Sequence, residues 1–224
     1  MTSKTTSKPT SKFISLKSIY NNKVLPILID KACALDVVSE QRALVVPKAH
    51  GIVLEVGVGS GLNARFYNLQ QVKKVIGVDP HLHPLAAERF ASVGIEFISQ
   101  LLSAETLPLE DNSVDSIVMT FTLCSIPNPI QALNEMRRVL KPTGKLYYAE
   151  HGLAPQPKWV GKMQQLITPA WKPVAGGCHL DRDIEQLIAQ AGFEVAGQQG
   201  FTQGVNIVGY YYWGEATIAI PKLS

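Results

Sequence analysis

Ile52-Val-Leu-Glu-Val-Gly57-Val-Gly-Ser-Gly61 is the stretch that decides how this chain folds. Its first half is short, apolar and β-branched, the pattern of a buried strand. Three alternate glycines follow. Glycine is needed where backbone turns sharply with positive φ and where it must approach a ligand closely. The run therefore predicts a strand, a ligand-facing turn and then a helix. A dinucleotide turn requires Gly-x-Gly-x-x-Gly, but Leu62 stands where the last glycine would be. A phosphate loop requires Gly-Lys followed by Ser or Thr, which is absent here. What remains is acidic-x-Gly-x-Gly-x-Gly, beginning at Glu55.

Outward from this turn, strand-like runs recur at 73–79, 95–98, 114–121, 146–149, 193–196 and 205–213. Helical spacing fills most gaps. Apolar residues are helically spaced over 27–44. Asn128-Pro129, with Gln131 behind, predicts a capped helix whose apolar face is Ile130, Leu133, Met136 and Leu140, stopped by Pro142 and Gly144. Another helix is expected from Asp181 to Gly192. Strands alternating with helices imply an α/β, doubly wound, largely parallel sheet, and the two late strands imply an edge hairpin. The expected organisation is a disordered tail over 1–12 and one domain over 13–224. That domain carries an N-terminal helical cover at 13–46 and a lid-like insertion at 152–180. In the insertion Trp159, Val160, Met163, Leu166 and Ile167 share one helical face, as either a site cover or a helix that closes the core.

The chain has 224 residues, 46% hydrophobic and 17% charged, which excludes a disordered or coiled-coil protein. Net charge is +3, and Lys4, Lys8, Lys12 and Lys17 precede the first acid, Asp30. The remainder is near neutral, so no nucleic-acid partner is expected. No apolar run reaches the ~20 residues of a membrane span, so no stable membrane insertion is expected. Cys33, Cys124 and Cys178 form neither a disulfide framework nor a Cys-x-x-Cys site. That favours a reducing, cytoplasmic setting. Cys178 with His179 offers too few ligands for a metal, and none is expected.

The acidic-x-Gly-x-Gly-x-Gly turn resembles that of the class I S-adenosylmethionine-dependent methyltransferases, and further segments extend the likeness. They are Gly77-Val-Asp79-Pro80, Ser103-Ala-Glu-Thr-Leu-Pro108, Ser113-Val-Asp115 and Glu135-Met-Arg-Arg-Val-Leu-Lys-Pro-Thr-Gly144. Tyr20-Asn21, Thr122-Leu-Cys124-Ser, Glu150-His151 and Gly177-Cys178 resemble a narrower group, the animal thiol S-methyltransferases and bacterial relatives. Animal members carry a membrane anchor, so their substrate and location do not transfer. The resemblance implies a Rossmann-like sheet of seven strands, the last antiparallel. It implies S-adenosyl-L-methionine as cofactor, S-adenosyl-L-homocysteine as product and a small-molecule acceptor.

On that resemblance the cofactor residues are Glu55, Gly57, Gly59, Ser60, Gly61, Asp79, Pro80, Ser103, Ala104, Glu105 and Thr120. Glu55 would draw the methionine ammonium or cap local backbone, and Asp79 would hold the ribose. Ser103 stands where relatives commonly carry Asp for the adenine, with Glu105 the next candidate. Acceptor-lining candidates are Tyr20, Leu123, Cys124, Trp159, Trp171 and His179. His151, past the fifth strand, is either a general base for a thiol or phenol or a structural histidine that caps that strand or bonds Glu150. Thr120-Phe-Thr-Leu-Cys124 lacks the Asn/Asp-Pro-Pro-aromatic set of nucleic-acid amino-methylating enzymes. Two other readings share the sheet and turn. One is a nicotinamide-dependent oxidoreductase, against which Leu62 and the absence of a Tyr-x-x-x-Lys pair count; the other is a noncatalytic cofactor-binding protein.

Overall fold

A computed structural model describes residues 20, 24–81 and 83–220. The expected tail at 1–12 and most of residues 13–23 lie outside the described residues. Seven strands form one sheet: β1 (Gly51–Val56), β2 (Val72–Val78), β3 (Phe97–Gln100), β4 (Val114–Thr120), β5 (Leu140–His151), β6 (Phe193–Phe201) and β7 (Tyr210–Ile218). Their order is β3-β2-β1-β4-β5-β7-β6. β7 runs antiparallel to both neighbours and the other pairings are parallel, as expected.

Alternation along the strands sends side chains to two helix-covered faces. Leu54, Val56, Ile117, Met119, Leu146 and Tyr148 meet α4 (Pro129–Val139) and α6 (Ile184–Gln190). Val53, Val75, Val118, Tyr147 and Ala149 pack with Phe90 of α3 (Leu85–Ser92) and Val45 of α2 (Asp36–Val45). Each fully buried Leu, Val or Phe contributes ~1.5–3 kcal/mol, so this two-sided burial fixes the sheet beneath its loops.

The structure revises several boundaries. The helical stretch at 27–44 is two helices, α1 (Leu25–Cys33) and α2, because Leu35 is extended at ψ 148°. No α-helix follows the glycine turn: a single 3-10 turn, Ala64–Phe66, ends at extended Tyr67. The reason is local, since Asn63 and Tyr67 both turn inward to Glu55. β5 begins at Leu140, directly after α4, so Pro142 and Gly144 lie inside a strand, beyond the helix end they were expected to form. β3 and β7 begin at Phe97 and Tyr210, later than expected. Asn128 does not cap α4 with its side chain, which donates to Gln131 instead. α6 starts at Ile184, with Asp183 as its cap.

The insertion holds α5 (Lys158–Trp171), but its inward face is not the expected apolar one. Val160, Gln164 and Thr168, spaced by four, are buried; Trp159 and Leu166 are 54% and 72% exposed. Gln164 decides the orientation. Its oxygen accepts from Ala154 N at 2.8 Å, and its amide donates to the carbonyls of Gly152 and Ile207. The groups at Gly152 and Ala154 are buried, and leaving such a group without a partner costs about 1–3 kcal/mol. Among the described residues no helix is long and apolar enough to cross a membrane.

Candidate active site

The carboxyl ends of β1, β2, β4 and β5 meet at one edge of the sheet, the region where open α/β folds bind ligands. The glycine turn leaves β1 with φ of +74°, +52° and +80° at Gly57, Gly59 and Gly61. Their surroundings differ. A Cβ on Gly57 would strike the Thr122 hydroxyl, and one on Gly61 the backbone of Ala86, so these two glycines permit close packing. A Cβ on Gly59 would meet nothing within 4 Å. Gly59 is thus the turn position open to a ligand. Its amide donates to Asp79 Oδ2 at 2.8 Å, and His81 N donates to Oδ1 at 2.7 Å, which fixes Asp79 beside the turn. Pro80 follows it, exposed.

Glu55 is buried and accepts from Asn63 at 3.1 Å and from the Tyr67 hydroxyl at 2.6 Å. Asn63 also bonds Thr120 at 3.0 Å, which carries the network to β4. Burial pushes the Glu55 carboxyl up to about 7, against the opposing pull of its two donors. Ser60 serves the structure by linking elements. Its hydroxyl bonds Asp30 of α1 and Arg89 of α3, and its carbonyl accepts from Arg89 at 3.0 Å. The first cover helix is thereby tied to the glycine turn. Ser103 donates to Glu105 at 2.8 Å, and Glu105 accepts from Asn128 N at 2.7 Å, so both brace the start of α4; Ala104 is buried in the core.

The turn after β4 is strained. Phe121 has φ +56°, which a bulky residue adopts at a cost of roughly 1–3 kcal/mol. Glu150 sustains it: one carboxylate oxygen accepts from Thr122 N at 2.8 Å and Leu123 N at 3.0 Å. The other oxygen is buried without a partner. Burial, aided by the sulfur of Cys124, pushes this carboxyl up to about 8. The guanidinium of Arg42 stands 5.0 Å over the Phe121 ring. Neighbours on a strand face opposite ways, so Glu150 does not bond His151, contrary to one form of the structural alternative for that histidine.

His151 turns instead toward sulfur. Its Nε2 lies 3.2 Å from Cys178 Sγ, and the ligating atoms of Cys124, His151 and Cys178 all lie within 4.8 Å of one another. Trp171 Nε1 donates to Cys178 Sγ at 3.4 Å. The proximity of the two sulfurs holds Cys124 well below the usual thiol range and pushes Cys178 up. Burial alone would lower His151, but the Cys124 sulfur outweighs it and the net shift is upward.

The acceptor-lining expectations divide. Cys124, Trp171 and His151 come together, and Tyr20 reaches the insertion by donating to Val174 O at 2.9 Å. Leu123 is fully buried in the main core, and Trp159 points to solvent, so neither lines a site. His179 faces Asp181, and its backbone N donates to Cys124 O at 2.9 Å. Sequence reasoning missed Arg42, Asn63, Tyr67 and Arg182. Asn63 and Tyr67 lie eight and twelve residues beyond Glu55, a separation with no motif, and only burial of Glu55 marks them.

A family profile described as a methyltransferase domain matches residues 54–148, from the carboxyl half of β1 into β5. Residues 54–148 are thus similar to a methyltransferase domain, in line with the resemblance carried by the glycine turn. The match lends no support to the nicotinamide oxidoreductase alternative. Human thiol S-methyltransferase TMT1B is 32% identical over 144 residues, covering 63% of this chain and 59% of the relative. The chain thus spans about three-fifths of that relative's length. The ubiquinone/menaquinone C-methyltransferase UbiE of Pseudoalteromonas translucida is 28% identical over 188 residues, covering 71% and 72%. Among solved structures, the 1,6-didemethyltoxoflavin N1-methyltransferase of Burkholderia thailandensis superposes with TM-score 0.66 at 15% identity, covering 98% of this chain and 94% of that one. That last likeness bears on fold alone.

Proposed function

We propose that this protein transfers a methyl group from S-adenosylmethionine to a small, apolar acceptor bearing a thiol, a phenolic hydroxyl or a quinone-precursor carbon. The observation that carries it is the glycine turn, open beyond Gly59 and braced on Asp79, at the same sheet edge as His151 and Cys124. The residues fit the cofactor. Gly59 leaves room for close backbone approach, Asp79 stands where ribose hydroxyls would be held, and buried Glu55 is relieved by an ammonium. Ser103 and Ala104 are assigned to the adenine side. When bound, the cofactor supplies a methyl electrophile on a sulfonium.

The protein's part is to position the acceptor, exclude water and take its proton. His151 Nε2 is assigned that proton in the metal-free protein. The cover formed by α1 and the segment after α5 supports an apolar acceptor: Ile29 and Leu25 approach Gly176, while Tyr20 binds Val174. The near-neutral body supports small-molecule rather than nucleic-acid substrates. Free thiols at Cys33, Cys124 and Cys178 support a reducing, cytoplasmic setting.

Calorimetric titration with S-adenosylhomocysteine and, separately, NAD tests the cofactor. Binding of the first alone is expected, and no binding of it overturns the reading. A methyl-transfer screen over thiols, phenols and quinone precursors then identifies the acceptor. Cofactor binding with no transfer to any acceptor class would favour the noncatalytic alternative.

A further inference from the structure

We propose that Cys124, His151 and Cys178 form a zinc site. Three residues of the types zinc prefers, two sulfurs and an imidazole nitrogen, arrive from the turn after β4, the end of β5 and the loop after α5. With Zn–S near 2.3 Å and Zn–N near 2.0 Å, a tetrahedral ion holds such atoms ~3.5–3.8 Å apart. Here Cys178 Sγ and His151 Nε2 are 3.2 Å apart and all three atoms lie within 4.8 Å, so a few tenths of an ångström to about 1 Å of movement closes the site.

The surroundings are those of a built centre. Both cysteines are more than nine-tenths buried, with Leu180, Ile167 and Trp171 packed around them. The indole N–H of Trp171 is already directed at Cys178 Sγ, as outer groups brace metal-bound sulfur. The two sulfur-bearing segments are joined by backbone, His179 N to Cys124 O at 2.9 Å. Arg182 pins the Cys124 turn by donating to the carbonyls of Leu123 and Ile126. Charge balances as well: two thiolates cancel the dication in this buried place, with both thiol protons passing to solvent on binding.

Three protein ligands leave one tetrahedral position for water or an acceptor's sulfur. That last role rests on the methyltransferase reading; the metal site itself does not. His151 Nε2 cannot hold zinc and take a proton together. With zinc bound, the metal rather than the imidazole keeps a thiol acceptor ionised.

The test uses the full chain, stripped by chelator under a phosphine reductant and then titrated with zinc or cobalt(II) alone. One equivalent of zinc should remain after gel filtration. Cobalt should give the intense visible bands of a four-coordinate ion with thiolate charge transfer in the near ultraviolet. Cys33→Ser should retain both signals, and Cys124→Ser and Cys178→Ser should each lose stoichiometric uptake while keeping the wild-type circular dichroism. Failure of the wild-type chain to retain zinc overturns the proposal without reference to any variant, as does uptake that depends on Cys33. Titration of the same samples with S-adenosylhomocysteine separates the two readings. Cofactor binding without metal removes only the zinc site, and metal without cofactor binding removes only the methyltransferase reading.

Discussion

Replacing Glu55 with Gln should remove one of two raised-carboxyl contributions to the pH dependence of stability, leaving that of Glu150. The Glu55 carboxyl rises from 4.5 in the ordinary state to about 7 in the fold because burial penalises its charge. Between these values the folded state binds more protons than the unfolded one, so stability falls as pH rises through the window and levels off above about 7. Integrating the linkage from about pH 5 to about pH 8 gives a loss of roughly 2.5 kcal/mol attributable to this one group. Gln cannot ionise, and its oxygen can still accept from the Tyr67 hydroxyl. Its amide would face that of Asn63, but Asn63 can flip, since the Thr120 hydroxyl that bonds both of its amide atoms can donate or accept. Urea unfolding of both proteins across this range measures the difference. Wild type should lose about 2.5 kcal/mol more than Glu55→Gln. Parallel curves would mean that Glu55 stays ionised throughout and that burial does not outweigh its donors.

Gly59→Val should abolish S-adenosylhomocysteine binding in calorimetry while costing only the ~1–2 kcal/mol of a side chain at positive φ, because no atom lies where the new Cβ would go; retained affinity would refute the turn's role. Glu150→Ala should destabilise the fold by roughly 2–4 kcal/mol in denaturant unfolding, since the amides of Thr122 and Leu123 lose their acceptor. Glu150→Gln, which keeps an oxygen, should recover most of that loss, and equal effects of the two would argue against the capping role. His151→Leu should depress turnover with cofactor affinity kept. If His151 is the base, wild-type turnover should rise with pH to an inflection above ~6.5, since the imidazole is shifted upward. A flat profile in metal-free protein would exclude that role.

The glycine turn, the sheet topology and Asp79 were legible because each is set by short-range patterning: a β-branched run, alternate glycines, an acid at the next strand's end. Cys124, His151 and Cys178 were not. They are 27 residues apart at each step, and sequence adjacency pairs Cys178 with His179 instead. Only the crossing of the 152–180 insertion back over β4 and β5 brings them together. The insertion itself departs from its apolar pattern for a related reason. A helical apolar face predicts burial only when apolar surface decides the docking. At α5 the deciding groups are backbone polar atoms at Gly152, Ala154 and Ile207, which require Gln164 and so rotate Trp159 and Leu166 outward.

Ser60 links the glycine turn to two flanking helices. Its hydroxyl joins Asp30 on α1 to Arg89 on α3, and Arg89 also holds the Ser60 carbonyl. α1 in turn lies against Gly176, two residues before Cys178. Three hydrogen-bonded groups therefore connect the glycine turn to the helix that meets Gly176. Such polar links are directional and break or hold as units, unlike the sliding contacts of Leu25 and Ile29 with Gly176. Ser60 therefore touches the acceptor edge only through its neighbours, and the insertion is anchored where Tyr20 and Ile29 meet it at Val174 and Gly176. Ser60, α1 and the segment at 174–176 thus form one continuous set of contacts between the glycine turn and the insertion.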